Sequence, residues 1–330
     1  MNEVSAHPYQ SLTPDLILDA LENQGYLCDG RLLPLNSYEN RVYQVGVEDA
    51  RPVVVKFYRP GRWSDEAIME EHAFSKVLAE AEIPVVAPLA GQAGETLHQY
   101  DGFRFSVSPN CGGRWQELDE PAHIEWMGRL IARIHALGRV ERFQYRQTLD
   151  IEQRGTESYR YILENGFIPY ELEAAYQSLL EALIPRIQGA FEAAGSVAMI
   201  RLHGDCHLGN VLWTDAGPHF VDFDDCCMGP AIQDLWMLLS GEVAHRTAQL
   251  SYLLDAYSEF NDFDARELHL IEALRTLRMI HYSAWLARRW SDPAFPANFP
   301  WFNSQKYWEE QILSLKEQMS LLDEPPLQWG

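Results

Sequence analysis

The sequence predicts an α+β protein of two lobes: a small antiparallel β lobe with one main helix, followed by a larger, mostly helical lobe. Three observations carry that expectation. At 330 residues the chain is long for one hydrophobic core, which favours two lobes. Val- and Tyr-rich runs, RLLPL, NRVYQVGV and PVVVKFY, crowd into its N-terminal part. From Pro121 onward apolar residues recur mostly at helical spacing. Between the two regimes SPNCGGRW breaks regular structure with Pro109 and the pair Gly112-Gly113, so the lobes are expected at 1–110 and 111–330.

The elements follow in order. Thr13 can cap free amides and Pro14 is pre-set for the first helical position, so TPDLILDALENQG starts a helix that stops at Gly25. The three β-type runs come next, with EDARP as a turn between two of them. SDEAIMEEHAFSKVLAEAE then places Ile68, Met69, Ala73, Phe74, Val77 and Leu78 at helical spacing behind a Ser cap. TLHQYDGFRFSVSP is a hairpin with Asp101-Gly102 as its turn. Beyond the break, PAHIEWMGRLIARIHALG and ELEAAYQSLLEALIPRIQGAFEAAG are helical, as are long stretches from Asp234 to the end. Short strand patterns return only at VLWTD and PHFVDFDD. No repeat or low-complexity tract interrupts them.

Composition narrows the partners. Lys+Arg of 26 against Asp+Glu of 48 gives a net charge of −22, a field that repels nucleic acid and anionic membranes. An anionic substrate therefore needs a local basic patch or a metal ion. MNEVSAHPYQ has no basic or apolar signal region and no apolar run reaches the length of a span, which predicts a cytoplasmic protein. Cys28, Cys111, Cys206, Cys226 and Cys227 are odd in number and lack a CxxC, so reduced thiols are expected.

The densest polar chemistry lies in RLHGDCHLGNVLW. A zinc reading of His203, Asp205, Cys206 and His207 is weakened by Gly204 and Gly209, which oppose a regular helix. Nucleophile chemistry by Cys206 with His207 suffers because adjacent side chains rarely face each other. The spacing His203-x-Asp205-x-x-x-x-Asn210 instead fits a phosphoryl-transfer loop, with Asp205 taking the proton of an attacking hydroxyl and Asn210 offering an amide oxygen to Mg²⁺. Asp222, in FVDFDD, supplies a second metal ligand. The bland alternatives are turn caps for Asp205 and Asn210 and a solvated acidic loop for Asp222, Asp224 and Asp225. Upstream, Lys56 interrupts the apolar VVVKFY, and either Glu70 or Glu71 on the next helix can pair with it. No GxGxxG or GxxxxGK[ST] precedes Lys56. Its place is taken by NSYENRVY, where Ser37, Asn40 and backbone N–H groups could meet phosphate oxygens.

Through LIARIHALG, HGDCHLGNVLW, FVDFDD and GPAIQDLWM the chain resembles the aminoglycoside phosphotransferase and choline kinase-like superfamily, which has a bilobal protein kinase-like fold. PLNSYENRVYQ, VVKFYRP and SDPAFPANFPW narrow the resemblance to the stress response kinase A family and carry it over nearly the whole chain. That resemblance implies a cytoplasmic, monomeric, ATP- and Mg²⁺-dependent Ser/Thr protein kinase that protects cells against stress-induced death, with ATP as co-substrate. By position, Asp205 is the proton acceptor, Asn210 and Asp222 hold Mg²⁺, and Ser37 contacts ATP. Lys56 and Glu71 form the ion pair, while Asp234 and His203 support the loop around Asp205. DFD replaces DFG and no APE-type segment follows, so switching by activation-loop phosphorylation is not expected.

Two other functions share these residues. A small-molecule kinase would use the same machinery on an amino alcohol, sugar or antibiotic, with HYSAWLARRW and FPWFNSQKYW as candidate walls of the acceptor groove. A nucleotide-binding pseudokinase scaffold would have no reason to keep Lys56, Asp205, Asn210 and Asp222 together. A redox-sensing role for Cys206 would need a lowered thiol pKa.

Overall fold

The computed structural model describes residues 8–330. Its elements begin with α1 (Pro14–Glu22), β1 (Cys28–Pro34), β2 (Arg41–Val47), β3 (Val53–Phe57), α2 (Asp65–Glu80), β4 (His98–Tyr100) and β5 (Phe103–Pro109). Then come α3 (Pro121–Gly138), α4 (Glu157–Glu164), α5 (Tyr170–Ala194), β6 (Ile200–Leu202), β7 (Val211–Thr214), β8 (Gly217–Phe220) and β9 (Cys227–Gly229). The chain closes with α6 (Ile232–Trp236), α7 (Val243–Tyr257), α8 (Ile271–Arg289), α9 (Ala294–Asn298) and α10 (Gln305–Leu322). Two compact units result. One holds the described residues up to Glu117 with Phe143–Arg146 and His207–Cys226, and the other holds Leu118–Arg142, Gln147–Cys206 and Cys227–Gly330.

In the first unit an antiparallel sheet runs in the order β1-β2-β3-β5-β4. Successive side chains of a strand point to opposite faces. On β3, Val53, Val55 and Phe57 are therefore buried with Ile17 and Leu21 of α1 and with Phe105 and Val107 of β5, while Val54 and Lys56 face the other way. Each such side chain removed from water contributes about 1.5–3 kcal/mol. Lys56 lies opposite Val42 on β2 and Ser106 on β5. A one-residue slip would drive its ammonium into that core, so the apolar face fixes the register and with it the position of the lysine.

The sequence explains the local ends. Thr13 and Ser64 each accept a backbone N–H at 3.2 Å, from Leu16 and Ala67, capping α1 and α2. At the β4–β5 turn Asp101 and Gly102 both take positive φ, 45° and 82°, as the tight hairpin requires. The β7–β8 hairpin joins this unit through backbone bonds on both edges. Phe220 pairs with Pro84 and Val86 (2.8 and 3.0 Å), and Trp213 exchanges two bonds with Arg114 (2.8 and 3.1 Å).

The second unit is helical. α3 lies close to α7 and to β6, and at Gly128 and Gly138 a Cβ would stand 2.3 Å from the carbonyl oxygens of Leu253 and Arg201. No larger residue fits either crossing. β6 pairs with β9, Leu202 opposite Cys227, and delivers the chain directly into His203-Gly204-Asp205. Among the described residues no helix is long and apolar enough to cross a membrane.

Candidate active site

The polar face of the β1–β5 sheet opens onto a cavity of about 500 Å³. Ser37, Lys56, Glu71, Asn210 and Asp222 line it, together with the segment 108–113. Every lining residue belongs to the first unit. Lys56 Nζ stands 2.8 Å from Glu71 Oε1, 3.6 Å from Asp224 Oδ1 and 3.7 Å from Asp222 Oδ1. Burial alone would push the Lys56 pKa down, but the negative charge of Glu71, Asp224 and Asp222 outweighs it and raises it well above the ordinary lysine value. The ammonium stays charged.

The choice between the two glutamates is settled by where each points. Glu71 carries Lys56 on one oxygen and the guanidinium of Arg146 on the other, at 2.9 Å. Glu70 faces elsewhere and accepts the backbone N–H groups of Gln144, Tyr145 and Arg146.

The DFD segment alternates between cavity and core. Asp222 sits in the left-handed region (φ 60°, ψ 66°), and its carboxylate is about half exposed at 52%. Phe223 is buried edge-on against Phe74 of α2. Asp224 turns inward: Arg62 donates to both Asp224 and Asp225, and Arg146 donates to the Asp224 carbonyl. Burial would raise the Asp224 pKa, yet Arg62, Lys56 and Arg146 hold it well below the usual carboxylate range. Arg146 also donates to the Ala67 carbonyl and stacks over Trp63 at 4.4 Å, tying DFD to α2. Its guanidinium is buried throughout.

Ser37 donates to the Asn40 carbonyl at 3.2 Å and lines the cavity. Asn40 does not line it. Its side chain is buried and accepts the Arg59 N–H at 3.1 Å. Asn210 ends a 3₁₀ turn, Leu208–Asn210, that His207 caps by accepting the Gly209 N–H at 2.9 Å. The Asn210 carbonyl receives the Val221 N–H at 3.0 Å, which sets it beside the approach to Asp222.

In the second unit Asp234 organises the loop around Asp205. This carboxylate, 1% exposed, accepts the His203 N–H at 2.8 Å and the Gly204 N–H at 2.9 Å, and lies 3.2 Å from His135 Nε2. Gln233 donates to the Gly204 carbonyl at 3.0 Å, and the Asp205 N–H donates to His203 Nδ1 at 3.3 Å. Gly204 takes φ 85°, a conformation that admits few side chains. Asp205 is left partly exposed, 22%, with Arg278 of α8 on its Oδ1.

Sequence spacing had no means of finding Arg62, Arg146 or Arg278. Arg62 and Arg278 meet partners more than seventy positions away, and only the turn RPGRW hints at a special backbone. None of the five cysteines forms a disulfide. Burial pushes the Cys206 thiol well above its ordinary pKa, opposite in direction to the lowering that a redox-sensing role would need. Among the described residues no three His, Cys, Asp or Glu side chains group so as to hold a metal, His203, Asp205, Cys206 and His207 included. A larger cavity of about 800 Å³ lies in the second unit near Arg186, Arg246 and the segment 321–328, away from every one of these motif residues.

Residues 31–271 match the model of the phosphotransferase enzyme family. The chain belongs to the phosphotransferase enzyme family. As a member it is an ATP-dependent phosphotransferase, a kinase by reaction type. Stress response kinase A of Escherichia coli O157:H7 is 48% identical over 324 residues, 98% of each chain. The serine/threonine protein kinase RdoA of Salmonella typhimurium is 46% identical over 328 residues, 99% of this chain and 98% of that one. The bilobal α+β fold recurs in solved phosphotransferases. The amicoumacin kinase hAmiN has a TM-score of 0.71 at 18% identity, covering 93% of both chains. A microcompartment-associated aminopropanol kinase has a TM-score of 0.70 at 18% identity, covering 94% of this chain and 97% of that one.

Proposed function

We propose that this phosphotransferase is a Ser/Thr protein kinase of the stress response kinase A type, acting in the cytoplasm as a monomer, with Mg²⁺ and ATP. One observation carries the reading. A single cavity presents a charged lysine fixed by a buried carboxylate, together with an exposed carboxylate and a carboxamide, Asp222 and Asn210. Those are the groups needed to hold polyphosphate oxygens and a hard cation.

The donor set suits Mg²⁺. Asp222 and Asn210 both line the cavity with oxygen donors, and two protein ligands leave room for phosphate oxygens and water. Bound there, the ion would neutralise charge developing on the phosphates. Lys56 would pair with the phosphates, and Ser37 would donate from its hydroxyl. Asp205 acts on the acceptor: the Ser or Thr hydroxyl gives it a proton while the oxygen forms its bond to the γ-phosphorus. The bond from that phosphorus to the β–γ bridging oxygen breaks, and ADP leaves with the electron pair. Asp205 then returns its proton to solvent.

Nothing in this scheme waits on an activation loop. Asp224 replaces the glycine of DFG with a carboxylate that three cations hold in place, and that supports an enzyme whose DFD segment is set without phosphorylation. The experiment is transfer from γ-labelled ATP in a cell extract. Label on phosphoserine and phosphothreonine is expected after acid hydrolysis of the protein fraction. Label confined to a small metabolite would replace this reading with a small-molecule kinase, and no transfer to anything would favour a nucleotide-binding scaffold.

A further inference from the structure

Asp205 has a charged neighbour to which no motif assigns a role. Arg278 Nη1 donates to Asp205 Oδ1, and 37% of the arginine and 22% of the aspartate side chain remain exposed. The pair is open to solvent, unlike Lys56–Glu71, whose side chains are 16% and 5% exposed. Exposed ion pairs hold only weakly, so this one can exchange partners.

The same face of α8 continues the site. Tyr282 and Trp285 follow Arg278 at four and seven positions, which on a helix places all three along one side over about 10 Å. Their rings stack at 5.6 Å, and Tyr282 is 40% exposed. Trp285 meets Phe299 edge-on at 5.9 Å, and Phe299 meets Trp301, itself 44% exposed, at 5.9 Å. A cation on Asp205 is thus followed by a partly exposed aromatic strip.

We propose that Arg278 is a specificity-determining residue: it selects Ser/Thr acceptors flanked by an acidic side chain and rejects acceptors that bring an ammonium to Asp205. The inference rests on Asp205 being the proton acceptor. A chain of net charge −22 repels an acidic acceptor at long range unless a local cation offers it a partner, and Arg278 supplies such a cation beside Asp205. A guanidinium has five N–H donors in a planar fork. When the acceptor hydroxyl bonds to Asp205, the rest of that fork is free to clasp a carboxylate on the same acceptor. An amino alcohol would set its ammonium against the guanidinium. The aromatic strip gives an extended peptide apolar surface to lie on, which a small alcohol would not use.

The test uses the full-length enzyme with Mg-ATP and degenerate peptides around a central serine, flanked by Glu, Ala or Lys. Glycerate and ethanolamine form a matching small-molecule pair. Wild type is expected to prefer Glu- over Lys-flanked peptides by about tenfold in kcat/KM, carried by KM, the size of one charge-assisted hydrogen bond. Arg278→Met should erase the preference, Arg278→Lys should keep part of it, and Arg278→Glu should invert it, each with ATP affinity unchanged. A preference that survives Arg278→Met and Arg278→Glu overturns the proposal. So does a wild type with no acidic preference, which needs no variant to fold. If only small alcohols accept phosphate, the protein-kinase reading fails, and the charge rule is then decided by glycerate against ethanolamine. Preference for ethanolamine overturns it.

Discussion

The two aspartate-bearing segments solve opposite problems. In the first unit, DFD is wrapped in charge: Lys56, Arg62 and Arg146 converge on Asp224, and Glu71 balances two of the three. In the second, the loop carrying Asp205 is shaped by hydrogen bonds to its backbone. Two backbone N–H groups and an imidazole meet one buried carboxylate, Asp234, and Asp205 is left partly exposed with Arg278 on its Oδ1. A site that holds a polyanion must keep its own charges from drifting, so it buries them in pairs. A base that must meet incoming hydroxyls needs its backbone fixed and its side chain open.

That contrast can be broken at its most buried charge. Asp224→Asn leaves Arg62 and Arg146 short of an anion inside the first unit, and removing one member of a buried ionic cluster costs about 3–5 kcal/mol. Chemical denaturation should show that loss, with hydrogen exchange fastest in α2 and the segment 222–225. A change under 1 kcal/mol would mean that the network is not what holds DFD. On the other side, Asp234→Ala strands the N–H groups of His203 and Gly204, a loss of about 2–4 kcal/mol. Its activity should fall through kcat, because the loop that aims Asp205 relaxes, while ATP affinity stays near wild type.

A smaller effect separates the units by pH. His72 of α2 is buried between the Tyr58 hydroxyl (2.7 Å) and Thr96 (2.8 Å). Burial first, then the charges of Lys56 and Arg146, push its pKa down to about 3. Below about pH 6.5 the unfolded chain binds a proton there that the folded chain refuses, so stability is lost as pH falls from 6.5 toward 3. By pH 5.5 the loss is about 1 kcal/mol, and His72→Gln should flatten that part of the stability profile. An unchanged slope would place the acid sensitivity elsewhere.

Much of this was legible in the chain. Lys56 stood out as the charge interrupting the apolar run PVVVKFY, and the caps at Thr13 and Ser64 set the helix starts. The spacing from His203 to Asn210 drew attention to the segment that carries Asp205 and Asn210. Periodicity could not show β6 and β9, three residues each, too short to alternate. It could not separate Glu70 from Glu71 either, because adjacent helical positions differ only in which neighbour each finds. The partner of Glu70 is a backbone stretch more than seventy residues on. Asn40 is instructive in the same way: a polar residue in a polar loop turned inward, where it satisfies the buried Arg59 N–H. Long-range charge pairing has no local signature, and it is what organises the charged cavity of the first unit.

The division of labour is tested most directly by measuring ATP affinity and phosphoryl transfer on the same preparations of Asp205→Ala and Asp222→Ala. Asp205→Ala should keep Mg²⁺-dependent ATP affinity within about threefold while transfer falls about 10²–10⁴-fold, the range for a lost general base. Asp222→Ala should lose the Mg²⁺ dependence of ATP binding itself. Loss of nucleotide binding in Asp205→Ala, or retention of both properties in Asp222→Ala, would contradict the account.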